Sequence, residues 1–284
     1  KAHFEDSDLM ETSVSHQAYE ASRLDDSETK EMLSKTYPYT ILITEDDDEV
    51  RGFLERELSL HFKIRTVANG KDALRVLEEE EISLVVSDVM MPEMNGFELC
   101  RTIKSQLPFS HIPVILLTAL TDERQRIFGI TGGADDYIQK PFHTDYVKIK
   151  IIHLLQERQK LRERLLEKLR DNKLLLSEPE KVESIDDTFL RKFAEQIEAV
   201  YADPEYNVEK LSETLGLSRG HLHRKIKELT GTAPVEFLRT YRLNKATQLL
   251  RQNAYTVSEV AYRTGFSSPA YFSKCFKAVY GVTP

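Results

Sequence analysis

The feature that most constrains the fold is an alternation of short apolar, β-branched segments with amphipathic ones between residues 39 and 145. The five apolar segments stand at residues 40–44, 63–67, 84–87, 113–118 and 136–139. Helical patterns follow them near residues 48–60, 70–80, 96–106 and 122–131 and from about residue 143. Strands with continuous apolar character are buried on both faces, and a helix after each strand allows the strands to run parallel. We therefore predict an α/β doubly wound domain with a five-stranded parallel sheet.

The residues before this domain have a different character. Residues 1–38 mix Asp, Glu, Ser and Thr without a sustained apolar period, so they are predicted to be an acidic tether with no regular structure. No signal segment or membrane span is evident, and 2 Cys in 284 residues give no disulfide framework, which favours a cytoplasmic setting. Because the chain opens on Lys1 rather than Met, we expect it to be part of a longer polypeptide.

The last helix of the α/β domain continues into a segment assigned to residues 146–180. No Gly or Pro occurs from Thr144 to Leu176, and apolar residues including Leu161 and Leu165 recur every three or four positions. Such a stripe needs a packing partner. A parallel dimeric coiled coil is favoured, although Arg158 and Lys168 interrupt the seam, and the alternative is a helix packed on its own domain.

Residues 181–284 are predicted to be entirely helical and contain an internal repeat. The segment from Val208 to Ser218 matches the segment from Val257 to Ser267 at an offset of 49, and later residues match at an offset of 50. In each copy a helix ends at Gly, a Ser begins the next helix, and the core positions are apolar. The repeat predicts an all-α tandem helix-turn-helix domain whose two units are joined by a helix near residues 234–252.

The two predicted domains differ in charge. Residues 39–145 hold 11 basic and 20 acidic residues, whereas residues 218–284 hold 11 basic and 3 acidic ones. The acidic domain suits a cation and phosphoryl chemistry, and the basic end suits nucleic acid.

Polar residues stand at the predicted carboxyl ends of four strands, where doubly wound sheets bind ligands. They are Glu45, Asp46, Asp88, Thr118 and Lys140. Three carboxylates in one place repel one another unless a hard cation such as Mg²⁺ neutralises them. Taken alone, the acidic run at residues 45–49 is more often a solvated helix start, but the shared position of all five groups favours a site.

The motifs around these residues resemble the receiver domain of two-component response regulators. They are Ile41–Asp47, Ser87–Gly96, Leu117–Ala119 and Tyr137–Phe142, and the resemblance covers about residues 39–160. It implies that Asp88 accepts phosphate from a histidine kinase. It also implies that Asp46, Asp88 and the carbonyl of Met90 hold Mg²⁺ with help from Glu45. Lys140 would pair with the phosphoryl group, Thr118 and Tyr137 would act as switch residues, and Lys140–Pro141 would be cis. Met90 stands where a haloacid dehalogenase-type phosphatase needs a second Asp, which argues against that class.

Each second helix of the repeat is predicted to enter the major groove of double-stranded DNA. The candidate contacts are Ser218, Arg219, His221, Arg224 and Lys225 in the first copy, and Ser267, Ser268, Pro269, Ala270, Ser273, Lys274 and Lys277 in the second. His223 is expected to be partly packed, and it cannot share a metal with His221 because the two rings point about 200° apart on a helix. Motifs such as Leu211–Ser218 and Val260–Phe266 resemble the DNA-binding domain of AraC/XylS transcription regulators, without the short final helix of that family.

Together these resemblances imply a phosphorylation-controlled transcription regulator, similar to the C-terminal part of a hybrid two-component sensor. This part would be a phosphoacceptor and not an enzyme, whereas a longer hybrid parent, possibly anchored in the inner membrane, would carry histidine kinase activity. Phosphorylation is expected to promote a homodimer. A free-standing response regulator is the alternative for the polypeptide. The alternative for the function is a phosphorelay or scaffold protein whose helical domain binds protein.

Overall fold

The computed structural model describes residues 27–119, 133–170 and 184–284 and divides the chain into two compact units. Among these residues, the first unit holds those up to Arg101 together with Pro113–Gln156, and the second holds Thr102–Ile112 and Glu157–Pro284. No helix in the described ranges is both long and apolar enough to cross a membrane.

The first unit contains a five-stranded sheet. Its strands are β1 (Thr40–Thr44), β2 (Lys63–Val67), β3 (Leu84–Asp88), β4 (Val114–Thr118) and β5 (Asp136–Gln139). All neighbouring strands pair in parallel in the order β2-β1-β3-β4-β5, which confirms the predicted doubly wound sheet. Every residue of β3 is buried, as expected for a central strand covered on both faces. The order reverses between β1 and β3, so their carboxyl ends flank the position where such sheets bind ligands.

Helices connect these strands at the predicted places. They are α2 (Asp48–Ser59), α3 (Gly70–Glu79) and α4 (Gly96–Ser105). Asp47 begins α2 by accepting hydrogen bonds from the amides of Glu49 and Val50, and Asn69 caps α3 in the same way. The helix predicted near residues 122–131 lies outside the described residues.

The tether prediction is wrong for its last part, because α1 (Ser27–Ser34) is a helix. Met32 packs against the core of the sheet together with Tyr37, whose ring stacks on Phe62 with centroids 5.6 Å apart. Two apolar residues therefore anchor a segment whose polar composition had suggested no structure.

The long helix α5 spans Thr144–Arg170, 27 residues without interruption. Val147, Ile151 and Leu155 are buried in the core of the first unit, so this unit extends past the predicted boundary at residues 145 and 146. The first apolar positions of the stripe thus pack on their own domain, the alternative reading, and not in a coiled coil. Leu161, beyond this core, is 59% exposed.

The second unit contains the predicted tandem helical repeat. Its helices are α6 (Ile185–Val200), α7 (Val208–Thr214), α8 (Arg219–Thr230), α9 (Pro234–Arg251), α10 (Val257–Arg263) and α11 (Pro269–Tyr280). The second helix of each copy, α8 and α11, ends at a glycine with a left-handed backbone, Gly231 and Gly281. One apolar core gathers around Phe193 and Leu222, and the other around Leu243 and Phe272.

Candidate functional site

Three carboxylates converge at the carboxyl edge of the sheet. Glu45 and Asp46 follow β1, and Asp88 is the last residue of β3. One oxygen from each side chain lies within 4.8 Å of the others, while Glu45 and Asp88 are buried and Asp46 is exposed. Parallel strands bring together residues that lie 42 positions apart in sequence, 46 to 88, as the sequence predicted.

Lys140 supplies positive charge to this cluster. Its Nζ lies 2.8 Å from Oε2 of Glu45 and 2.9 Å from Oδ1 of Asp88. Burial works to lower the pKa of Lys140, but the hydrogen bonds to the two carboxylates outweigh it and the pKa is raised. Burial also raises the pKa of Glu45, and the hydrogen bond from Lys140 opposes that effect while the charge of Asp88 adds to it. The fold thus holds Glu45 in a setting that disfavours its charge.

The donor set fits Mg²⁺. Three carboxylates face a single lysine, so excess negative charge remains, and carboxylate oxygens are the ligands that this hard cation prefers. Met90 follows Asp88 by two residues, and its side chain is 67% exposed. Beside it opens a cavity of about 670 Å³, lined by Asp46 and by apolar residues from Val89 to Pro92. The site is therefore accessible to a partner from this side.

Gly96 supports the site, and the sequence analysis did not single it out. A Cβ built at this residue would lie 2.2 Å from the carbonyl oxygen of Asp88, and the Gly96 amide donates to the carbonyl of Val89 at 3.0 Å. Only glycine allows α4 to begin so close to the residue that ends β3. The sequence feature that could have identified Gly96 is its position eight residues after Asp88, at the start of a helical pattern.

Thr118 and Tyr137 lie on the neighbouring strands. Thr118 ends β4, and its carbonyl accepts a hydrogen bond of 2.7 Å from the Lys140 amide. The Tyr137 hydroxyl is buried, and burial raises its pKa to about 12 against a smaller, lowering effect of the Ala134 backbone. The Lys140–Pro141 bond is cis, as expected.

The first candidate DNA-contacting helix is α8. Its N-cap Ser218 accepts a hydrogen bond from the His221 amide, and Arg219 is 73% exposed with its Nη1 2.8 Å from Oε1 of Glu209. Arg224 is half-buried. The exposure of the two histidines is the reverse of the expectation, since His221 is half-buried and His223 is exposed.

The DNA-contact prediction for Lys225 is wrong in this structure. Its side chain is fully buried, its Nζ lies 2.6 Å from Oδ1 of Asp186, and it also sits 5.2 Å from the ring centroid of Phe189. Burial lowers the pKa of Lys225, and the charge of Asp186 opposes this. The repeat could have indicated that Lys225 is buried, because the equivalent residue 50 positions later is Cys275, an apolar residue type that is buried here.

The second candidate helix is α11. Ser267, Lys274 and Lys277 are exposed, whereas Ser268, its N-cap, and Ser273 are half-buried. Tyr271, which was not among the predicted contacts, is 51% exposed. Apart from Lys225, the predicted contacts thus retain at least partial exposure.

The family model of the response regulator receiver domain matches residues 41–152, and the model of a helix-turn-helix domain matches residues 211–284. The chain joins a response regulator receiver domain to an AraC-type helix-turn-helix domain.

Two curated relatives and one solved structure illustrate the similarity. The receiver–helix-turn-helix chain is 37% identical to histidine kinase P4 of Formosa agariphila over 92% of its own length and 19% of the relative. It is 44% identical to the transcriptional regulatory protein GltR of Pseudomonas aeruginosa over 42% of its length and 50% of the relative. The receiver domain of a signal transduction histidine kinase from Syntrophus aciditrophicus is 38% identical with a TM-score of 0.41, covering 42% of this chain and 91% of that one. The chain therefore spans a fifth to a half of these curated relatives.

Proposed function

We propose that Asp88 accepts a phosphoryl group from a histidine kinase and that this modification controls DNA binding by the helix-turn-helix domain. The observation that carries the proposal is the position of Asp88, which ends a central strand, lies within 4.8 Å of two other carboxylates and contacts Lys140 at 2.9 Å. A carboxylate held beside a lysine can act as a nucleophile toward phosphorus.

The proposed transfer uses the contact between Asp88 and Lys140. A carboxylate oxygen of Asp88 forms a bond to phosphorus as the bond from phosphorus to the phosphohistidine nitrogen breaks, and that nitrogen keeps the electron pair. Lys140 stays beside Asp88 and pairs with a phosphoryl oxygen. Glu45, Asp46, Asp88 and the Met90 carbonyl would hold Mg²⁺, which when bound supplies charge neutralisation to the phosphoryl oxygens.

The switch would use Thr118 and Tyr137. Thr118 stands at the carboxyl end of β4, at the same sheet edge as Asp88, and its hydroxyl would move to bond the phosphoryl group. The Tyr137 hydroxyl is buried beside the Ala134 backbone, and reorientation of the ring would move it to other hydrogen-bond partners. Movement of both would change the receiver surface near β4 and β5.

The output would be binding to double-stranded promoter DNA. The positive charge of residues 218–284 and the exposed basic residues of α8 and α11 support this assignment. Phosphorylation would act by promoting a homodimer, which places two DNA-binding domains on adjacent sites and raises affinity through effective concentration. The similarity to a histidine kinase of which the matched region is only 19% of the length supports a hybrid parent with its own kinase domain.

Two measurements test the two parts of this proposal, phosphorylation of Asp88 and DNA binding. Radiolabelled acetyl phosphate with Mg²⁺ should label the wild-type chain and the Asp48→Asn variant, whose altered side chain is exposed beside the site, but not Asp88→Asn. Affinity for duplex DNA should fall steeply with salt, because phosphate contacts release counterions. Undiminished labelling of Asp88→Asn would remove Asp88 from this role, and the absence of DNA binding would favour a phosphorelay or scaffold protein.

A further inference from the structure

The two helices predicted to enter DNA, α8 and α11, present different chemistry at equivalent positions. The repeat aligns them residue for residue at an offset of 50, and both span 12 residues after a serine N-cap. Both also bury the same inward position, Leu222 in α8 and Phe272 in α11, with no exposed surface at either. Because the inward positions correspond, the outward positions correspond too. A difference between the exposed faces is therefore a difference in what the two helices can recognise.

The first two turns of α8 carry nitrogen donors. Arg219 is 73% exposed and His223 is exposed. Arg219 contacts Glu209 through one terminal nitrogen, and its planar guanidinium has further donors in a fork that matches O6 and N7 of guanine. A Cβ built at Gly220 would meet no atom within 4 Å, so the domain itself does not require glycine there. Its missing side chain lets this helix approach base edges closely.

The same positions of α11 carry apolar and aromatic groups. Pro269 and Ala270 replace Arg219 and Gly220, and Tyr271 replaces His221. Ala270 is exposed, and Tyr271 is 51% exposed with its ring 6.2 Å from that of Phe266, which supports it from the core side. Apolar groups in the major groove recognise the C5 methyl group of thymine.

Later in both helices the chemistry becomes alike. Lys227 in α8 and Lys277 in α11 are equivalent and exposed, and Arg224 is matched by the exposed Lys274. In helix-turn-helix proteins the first residues of the recognition helix reach base edges, while flanking basic residues contact phosphates. The base-reading turns therefore differ between the two helices, and the anchoring turns do not.

We propose that this chain reads a bipartite DNA site whose two half-sites differ in composition. The helix α8 recognises a G·C half-site through guanine, with Arg219 as the principal reader, and α11 recognises an A·T half-site through thymine methyl groups, with Tyr271 and Ala270 as readers. This inference rests on the proposed DNA-binding function and adds the class of sequence to it.

Base analogues separate the two half-sites. Duplexes bound by the whole chain are first selected from a random library, and the consensus is then synthesised with 7-deazaguanine, which lacks N7, or with uracil, which lacks the thymine methyl. We expect 7-deazaguanine in one half-site to weaken binding about fivefold or more. We expect uracil in the other half-site to weaken it about threefold to fivefold for each contacted thymine.

Two variants assign each half-site to a helix. Arg219→Ala should lose sensitivity to 7-deazaguanine and keep sensitivity to uracil, and Tyr271→Ala should do the opposite. The matched controls are Arg239→Ala on α9 and Tyr262→Ala on α10, whose side chains are 39% and 57% exposed. Both should keep the wild-type response to each analogue.

Each result bears on the inference. Half-sites of the same composition, or analogue responses that Arg219→Ala and Tyr271→Ala leave unchanged, would overturn it while DNA binding itself stands. A library from which no sequence is enriched would overturn it together with sequence-specific DNA binding. The inference would be supported if two unlike half-sites are enriched, and if Arg219→Ala removes the response to 7-deazaguanine while Tyr271→Ala removes the response to uracil.

Discussion

At the scale of single residues, Lys225 and Asp186 show how much one buried charge depends on its partner. The Lys225 side chain has no exposed surface, and Asp186 lies 2.6 Å away with 19% exposure. Burial lowers the pKa of Lys225, and Asp186 offsets part of that effect. Since α6 begins at Ile185, this pair fixes the first turn of α6 to the recognition helix α8.

Removing the charge of Asp186 should therefore destabilise the second unit. We expect Asp186→Asn to lower its free energy of unfolding by about 3 kcal/mol, because a buried ammonium group is left without a counter-charge. The control is Glu236→Gln, which breaks an exposed pair with Arg239 and should change stability by less than about 0.5 kcal/mol. Denaturant titrations with amide hydrogen exchange in both units measure the effect. Equal losses in the two variants would contradict it.

The same residues show what the sequence could reveal about the site. The strand ends predicted that Glu45, Asp88 and Lys140 would meet, because the geometry of parallel strands leaves little freedom. Lys225 was misplaced because its charge was given more weight than its position, although it lies three residues after the buried Leu222 and hence on the same face of the helix. The partner Asp186 could not be predicted, since it comes from another helix 39 residues away.

At the scale of elements, the two turn glycines of the repeat have the same backbone but different surroundings. Gly216 has a φ of 68° and nothing within 4 Å of a would-be Cβ. Gly265 has a φ of 76°, and its Cβ would lie 2.2 Å from the Tyr201 carbonyl oxygen. That oxygen accepts a hydrogen bond of 2.8 Å from Nε of Arg242, so the turn, α9 and the end of α6 meet at Gly265.

Alanine at these two positions should therefore have unequal effects. Gly216→Ala is expected to cost about 1 to 2 kcal/mol, the strain of a left-handed backbone with a Cβ. Gly265→Ala should cost about 1 to 3 kcal/mol more, since backbone atoms must also move apart. Thermal unfolding of the second unit compares the variants. Equal shifts in the midpoint would mean that the contact with Tyr201 relaxes without penalty.

The sequence predicted the boundaries of the elements more accurately than it predicted what each element packs against. The helical period predicted α5, but it could not indicate that Ile151 and Leu155 pack on the receiver core and not on another chain, because either partner satisfies an apolar stripe. The short helix α1 escaped prediction for a related reason. Its anchors, Met32 and Tyr37, are too few to produce a period.

At the scale of the whole molecule, the exposed part of α5 is the segment where two chains could pair. Leu161 is 59% exposed on a helix that otherwise buries its apolar residues in the receiver core up to Leu155. If phosphorylation promotes dimerisation through this segment, sedimentation should show a shift from monomer to dimer on treatment with acetyl phosphate and Mg²⁺. Leu161→Asp should prevent the shift, and Lys160→Asp, at an exposed neighbouring position, should not. An unchanged mass in both states, or a dimer of Leu161→Asp, would defeat this mechanism without affecting the phosphoacceptor assignment.

Because α5 is continuous, the number of residues between Leu155 and Leu161 also determines the direction in which Leu161 points. A helix turns by about 100° per residue, so one residue deleted between Leu155 and Leu161 would swing the exposed leucine to another side of the receiver domain. Inserting seven residues there would restore its direction to within about 20°. Chains of this architecture can therefore differ in linker length by heptads and keep the residue at position 161 facing the same way, whereas a change of a single residue rotates it by about 100°.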